Sequence, residues 1–121
     1  MKAFYDHEPQ KIEAIGDGYY RYRWNIEESV ETHDGVEVRQ WSCSEVCFWP
    51  LSANAITEKV ISSCWPGNYE QKLVNEYNAA VLGVFDEVTA NVKTVAYTVF
   101  LKERQALKDM IDDDCRKLGI L

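Results

Sequence analysis

Residues 19–26 read Tyr-Tyr-Arg-Tyr-Arg-Trp-Asn-Ile, and this stretch decides the fold class. Tyr20, Tyr22 and Trp24 alternate with polar side chains. A period of two is typical of a β-strand that buries one face and exposes the other. The stretch therefore predicts a strand with one aromatic face.

Turn signals on both sides of this strand predict its neighbours. Gly-Asp-Gly at 16–18 precedes it, and His-Asp-Gly at 33–35 follows at a distance. Glycine and aspartate accept the positive backbone angles of tight hairpin turns. We therefore expect residues 11–49 to form a three-stranded antiparallel meander, with outer strands at 11–15 and 36–49.

The apolar residues of the last strand change parity along its length. Val36 and Val38 share one face, whereas Trp41 and Trp49 fall on the other. One extra residue in a strand exchanges its two faces. A β-bulge near Arg39 or Gln40 is the expected reason.

Apolar residues recur at helical spacing after Pro50, which cannot extend the strand. Ser52 is a candidate N-cap for a first helix, which ends before Pro66-Gly67. Asn68 is a candidate N-cap for a second helix, with Gln71 as its capping-box partner. Strands followed by helices predict an α+β fold.

The last helix is the longest predicted element, over 90–118, after a short linker at 86–89. Gly119 is placed to end it in the left-handed conformation. Its apolar stripe includes Val92, Val95 and Val99. A helix of this length measures about 43 Å, more than the diameter of so small a domain, so one end should project. A projecting apolar stripe predicts a protein partner or self-association.

Composition restricts the classes of function. The chain has 121 residues and fits one domain, residues 1–121, with the meander at 11–49 and the helical part at 52–119. Its 13 basic and 20 acidic residues leave a net charge of −7, which argues against nucleic acid and anionic membranes as partners. We find no apolar run of membrane-spanning length and no secretory signal, so we expect a cytoplasmic protein with four reduced thiols.

The reactive side chains form no recognisable catalytic pattern. Cys43 and Cys47 are spaced like zinc ligands, but strand positions four apart lie about 13 Å from each other. The two histidines are not placed to activate a thiol, because His7 lies near the N-terminus and His33 lies in a predicted hairpin turn. We therefore expect no enzyme activity, no catalytic residue, no metal and no cofactor. An enzyme that uses Cys43, Cys47 or a carboxylate pair is the least favoured alternative.

The aromatic residues of the meander are the candidate interface. Tryptophan and tyrosine are favoured anchors at protein interfaces, but they also dominate small cores. A carbohydrate or small-ligand site that stacks on these rings is the main alternative to a protein interface. The candidate residues are Tyr20, Tyr22, Trp24, Trp41 and Trp49.

Two segments of the helical half have a familiar order. Lys-Leu-Val-Asn-Glu-Tyr-Asn stands at 72–78, and Ala-Tyr at 96–97 is followed by Phe-Leu-Lys-Glu-Arg-Gln-Ala-Leu-Lys at 100–108. With these segments, residues 36–112 resemble small proteins of phage and prophage tail modules in gut Bacteroides-like bacteria. The last segment is similar to the terminal helix of tail assembly chaperones and tail-fibre accessory proteins. The resemblance implies a non-enzymatic assembly protein, in the cytoplasm or in a phage particle. It supplies no functional residue.

Overall fold

The computed structural model describes residues 2–121 and has an α+β fold, as the order of strands and helices predicted. One antiparallel sheet of four strands precedes three helices in the chain. The strands are β1 (Lys2–Tyr5), β2 (Ile12–Gly16), β3 (Tyr19–His33) and β4 (Val36–Phe48). The helices are α1 (Ala53–Cys64), α2 (Tyr69–Val81) and α3 (Glu87–Leu118).

The strand order is β1-β4-β3-β2, so the meander of β2, β3 and β4 is confirmed. Both turns have positive φ angles at consecutive residues, 56° and 80° at Asp17 and Gly18, and 51° and 79° at Asp34 and Gly35. The prediction of three strands was wrong because β1 adds a fourth beside β4. Residues 2–5 read Lys-Ala-Phe-Tyr and do not alternate, so the sequence pattern gives no sign of a strand there.

The β-bulge lies on β3 rather than on β4, so its predicted position at Arg39 or Gln40 was wrong. The pairing of β3 with β4 shifts between Trp24 and Glu27, where Asn25 has a φ of 53°. Strand β4 pairs without interruption, and its valines near the hairpin tip simply extend past the core. These valines can lie on the other face from Trp41 because they are exposed at the end of a long hairpin, and not because a bulge exchanges the faces. The local sequence does not show where the hairpin extends beyond the core.

The main core lies where α1 and the C-terminal part of α3 cover one face of the sheet. Rings and aliphatic side chains from the sheet meet the two helices there, at nearly complete burial. Burial of this kind contributes roughly 1.5–3 kcal/mol for each large apolar side chain. The buried members are Tyr22, Trp24, Phe48, Ile56, Val60, Ile111 and Cys115.

The helix ends confirm two predicted caps and correct a third. Ser52 accepts a hydrogen bond from the Ala55 amide at 3.1 Å, and Gly119 has the expected left-handed φ of 73°. Asn68 makes no side-chain cap bond, so the predicted capping box was wrong; Gln71 donates to Asn75 instead.

The predicted linker at 86–89 was also wrong, because α3 begins at Glu87. The Asp86 carboxylate accepts a hydrogen bond from the Thr89 amide at 2.7 Å and so caps the helix. Asp is one of the residues preferred at the N-cap, and a linker assignment overlooks this preference.

Helix α3 has 32 residues, which makes it about 48 Å long, and its two halves have different neighbours. Its C-terminal part covers the sheet, whereas its N-terminal half packs against α2. Phe100 makes edge-to-face contacts with Trp65 and Tyr69, and Tyr97 contacts Tyr77. The α2–α3 hairpin therefore has its own small packing centre, apart from the main core.

Candidate interaction surfaces

The inner rings of the predicted aromatic interface lie in the core. Tyr22 is 0% exposed and Trp24 is 3% exposed, and their rings stack at a centroid distance of 5.8 Å. Tyr20 is half-buried and stacks on Phe48. These side chains hold the helices on the sheet, so Tyr22 and Trp24 offer no surface to a partner in this fold.

The other two residues of the predicted interface lie elsewhere. Strand alternation places Trp41 on the face of the sheet opposite to Tyr22, because Tyr22 pairs with Val46. Trp49 follows β4 and is 62% exposed, with its indole next to the turn at Gly18. The five aromatic side chains therefore do not form one continuous surface.

The opposite face of the sheet carries a buried charge cluster around Arg23. Its side chain is 3% exposed and donates through Nε to Glu45 Oε2 at 3.1 Å and through Nη2 to Glu13 Oε1 at 2.9 Å. Nη1 donates to the Gln10 carbonyl at 2.9 Å, and the guanidinium lies 4.8 Å from the ring centroid of Tyr5. A buried arginine needs this complete set of acceptors to offset its lost hydration.

The topology explains why Arg23 has these partners. Strands β1 and β2 lie at opposite edges of the sheet, so the segment 6–11 between them must cross β4 and β3. The bond from Arg23 to the Gln10 carbonyl attaches that segment to the face it crosses. Burial lowers the pKa of Arg23, but its hydrogen bonds to Glu13, Tyr5 and Glu45 outweigh this and raise it. The cluster therefore has a structural role: it attaches the segment 6–11 to the sheet, and its central Arg23 side chain stays charged.

A second buried polar contact joins the sheet to α3. The Tyr22 hydroxyl donates to Asp114 Oδ2 at 2.6 Å, and Lys11 Nζ lies 3.2 Å from Asp114 Oδ1. Asp114 is 8% exposed. Burial, followed by the hydrogen bond and the charge of Asp114, raises the pKa of Tyr22 well above its ordinary value of 10.0. The acidic run at 112–114 therefore contains one carboxylate, that of Asp114, with a structural role.

The four cysteines carry free thiols in two different environments. Cys43 and Cys115 are buried, whereas Cys47 and Cys64 are exposed. Burial raises the pKa of the Cys43 and Cys115 thiols, and nearby carboxylates raise it further. Within residues 2–121, no group of three or more His, Cys, Asp or Glu side chains is arranged to hold a metal ion.

The most extensive exposed apolar surface lies on α3. We call Val88, Val92, Val95 and Val99 the outer face of α3; they are 76%, 60%, 53% and 47% exposed. Helical spacing identified three of these valines as part of an apolar stripe, but not which side of the helix α2 would cover. Three further apolar residues lie just before α3 and are at least 66% exposed: Val81, Leu82 and Val84.

No family model matches this chain, and no curated protein or solved structure is significantly similar to it. Among residues 2–121, no helix combines the length and the apolar character that a membrane span requires.

Proposed function

We propose that this protein is a non-enzymatic interaction protein that takes part in assembly by binding another protein chain through the outer face of α3. The observation that carries this proposal is the exposure of four valines in a row on one helix. An apolar patch of several hundred Å² on a protein surface is often a contact site. The resemblance to phage and prophage tail modules suggests the setting: assembly of a tail or virion, in the cytoplasm or in the particle.

The side chains around the valines support a protein partner. Asn91, Thr94 and Thr98 are exposed and uncharged, so burying them does not remove charge from water. The hydroxyls of Thr94 and Thr98 donate to carbonyls of their own helix and remain able to accept hydrogen bonds at the rim. The neighbouring tip of the α2–α3 hairpin adds further apolar area. An apolar centre with a polar rim is the usual composition of a protein interface.

The alternative of a stacked carbohydrate or small ligand is not favoured. It requires several exposed rings side by side, whereas Tyr22 and Trp24 are in the core and Trp41 faces away from them. Trp49 remains as an exposed ring, next to the turn at Gly18.

The proposal predicts that a second protein chain, of the same or of a different sequence, lies on the outer face of α3 in the cell. A photo-activated cross-linking residue replaces Val95 in the full chain, in the organism that encodes it, and mass spectrometry identifies the adduct peptides. The matched control carries the same residue at Lys72, an exposed position of α2. We expect one dominant protein adduct at Val95 that is absent at Lys72. Equal labelling at both positions, or none at Val95, would contradict the proposed function.

A further inference from the structure

The geometry of α3 points to a specific partner: we propose that the outer face binds the outer face of a second copy of this chain, with the two α3 helices antiparallel. This inference rests on the proposed function and names its partner. The four valines follow one another at intervals of four, three and four residues. This is the spacing of a helix seam that packs along a second helix, here over about 17 Å.

The absence of charge from this part of α3 favours a copy of the same chain. From Val88 to Leu101 the sequence has one charged residue, Lys93, which is half-buried and pairs with Glu76 at 3.2 Å. Each chain carries a net charge of −7, so two copies repel each other wherever charged surfaces meet. An uncharged face permits two copies to touch, whereas a partner with charges there would leave them buried and unpaired.

The exposed apolar area is close to what a stable dimer needs. The outer face together with Val81, Leu82 and Val84 exposes on the order of 700 Å², judged from the exposed fractions of the seven residues. A standard interface buries about 800 Å² on each partner. A two-fold axis near the middle of the seam would bury the same face on both copies, so the assembly would close at two chains.

Charge decides between the two orientations of the helices. The segment 69–101 has four acidic and two basic residues, a net charge of −2, so −5 lies in the rest of the chain. In an antiparallel pair, the acidic remainder of one chain lies at one end of the seam and the acidic remainder of the other chain lies at the opposite end. The antiparallel arrangement also separates Asp86 and Glu87 of one copy from the same residues of the other, and it opposes the helix dipoles. A parallel pair would set the two acidic N-termini of α3 side by side.

Sedimentation of the full chain over a wide concentration range tests the partner. We expect a monomer–dimer equilibrium whose dissociation constant rises at least about 100-fold when Val92→Glu and Val95→Glu are combined, because four carboxylates would meet in the seam. The matched control adds the same two charges on the outside of α2, as Asn75→Glu and Asn78→Glu, and should remain dimeric. Circular dichroism verifies that each variant folds. The inference would be overturned if the wild type is monomeric, or if the dissociation constant of the dimer does not change with the valine substitutions.

Disulfide cross-linking tests the orientation, in a background in which Cys47 and Cys64 are replaced by Ser. We expect Val88→Cys of one copy to form a disulfide with Val99→Cys of a separately tagged copy, and Val88→Cys not to pair with itself. Preferential self-pairing at position 88 would overturn the antiparallel arrangement. A monomeric wild type that still forms an identified adduct with another protein at Val95 would refute self-association and leave the proposed function standing. A monomer with no adduct would refute both.

Discussion

The Tyr22 hydroxyl donates to Asp114 and so joins the sheet to α3 through two buried polar side chains that are 92 residues apart in the chain. A buried acceptor that loses its donor cannot recover the loss from water. Lys11 continues to partner the other oxygen of Asp114, which limits the damage. The bond therefore stabilises the contact of sheet and helix, and its removal should be measurable without unfolding the protein.

We expect Tyr22→Phe to lower the free energy of unfolding by about 1–2 kcal/mol at neutral pH, measured by urea denaturation. Tyr19→Phe is the control, because Tyr19 is 51% exposed. A Tyr22→Phe protein as stable as the wild type would contradict the structural role of the bond.

The same residue predicts how stability depends on alkaline pH. The folded-state pKa of Tyr22 is raised, so its contribution is complete below the ordinary pKa of 10.0 and is lost as pH rises above it, because the unfolded chain then releases the proton more readily. The wild-type free energy of unfolding should fall above about pH 10. Tyr22→Phe should reduce this slope without abolishing it, because the pKa of Tyr5 is also raised. An unchanged slope would show that Tyr22 ionises equally in both states.

At the scale of elements, the N-terminus of α3 depends on Asp86. Its carboxylate accepts from the Thr89 amide, and this hydrogen bond lowers the pKa of Asp86 below its ordinary value of 3.8. Because the pKa of Asp86 is lower in the folded state, the stabilisation is complete above the ordinary pKa of 3.8 and is lost as pH falls below 3.8 and through the folded-state pKa. The cap matters here because the first turns of α3 carry the proposed contact surface.

We expect Asp86→Ala to reduce helicity and to lower Tm by a few degrees at neutral pH, as measured by circular dichroism. Asn68→Ala, at the N-cap of α2, is the matched control and should change Tm little, because Asn68 makes no side-chain cap bond. The difference between the two variants should shrink in acid, where Asp86 becomes protonated. Equal effects of the two substitutions would contradict the assigned cap.

At the scale of the whole molecule, the reaction rates of the four thiols measure how often the buried regions become exposed to solvent. Cys43 lies in the sheet opposite Ala3, and Cys115 lies between α3 and the sheet. We expect two thiols, Cys47 and Cys64, to react quickly with a thiol reagent in the native protein, and two to react only on opening. The variant Cys47→Ser with Cys64→Ser isolates the buried pair. Fast labelling of Cys43 or Cys115 would contradict their burial.

Patterns within about ten neighbouring residues were enough to predict much of the architecture. The alternation of rings in β3, the Asp-Gly turns, the Ser52 cap and the Gly119 end depend on local backbone preferences, and the structure confirms them. The short strand β1 escaped prediction because its formation depends on pairing with β4, far along the chain. The capping assignments at Asn68 and Asp86 show that residue type alone does not tell which candidate caps a helix.

By itself, the sequence determined the fold class, the turns, the strong negative charge and the presence of a long helix with an apolar stripe. Only the tertiary structure decided which apolar side chains are core and which are surface. Tyr22 and Trp24 became core because α1 and the C-terminal part of α3 cover their face of the sheet. The outer face of α3 stayed exposed because α2 covers the other side of that helix. Burial depends on which distant segments of the chain meet. A local pattern of apolar residues looks the same whether its side chains end in the core, as in β3, or on the surface, as in α3.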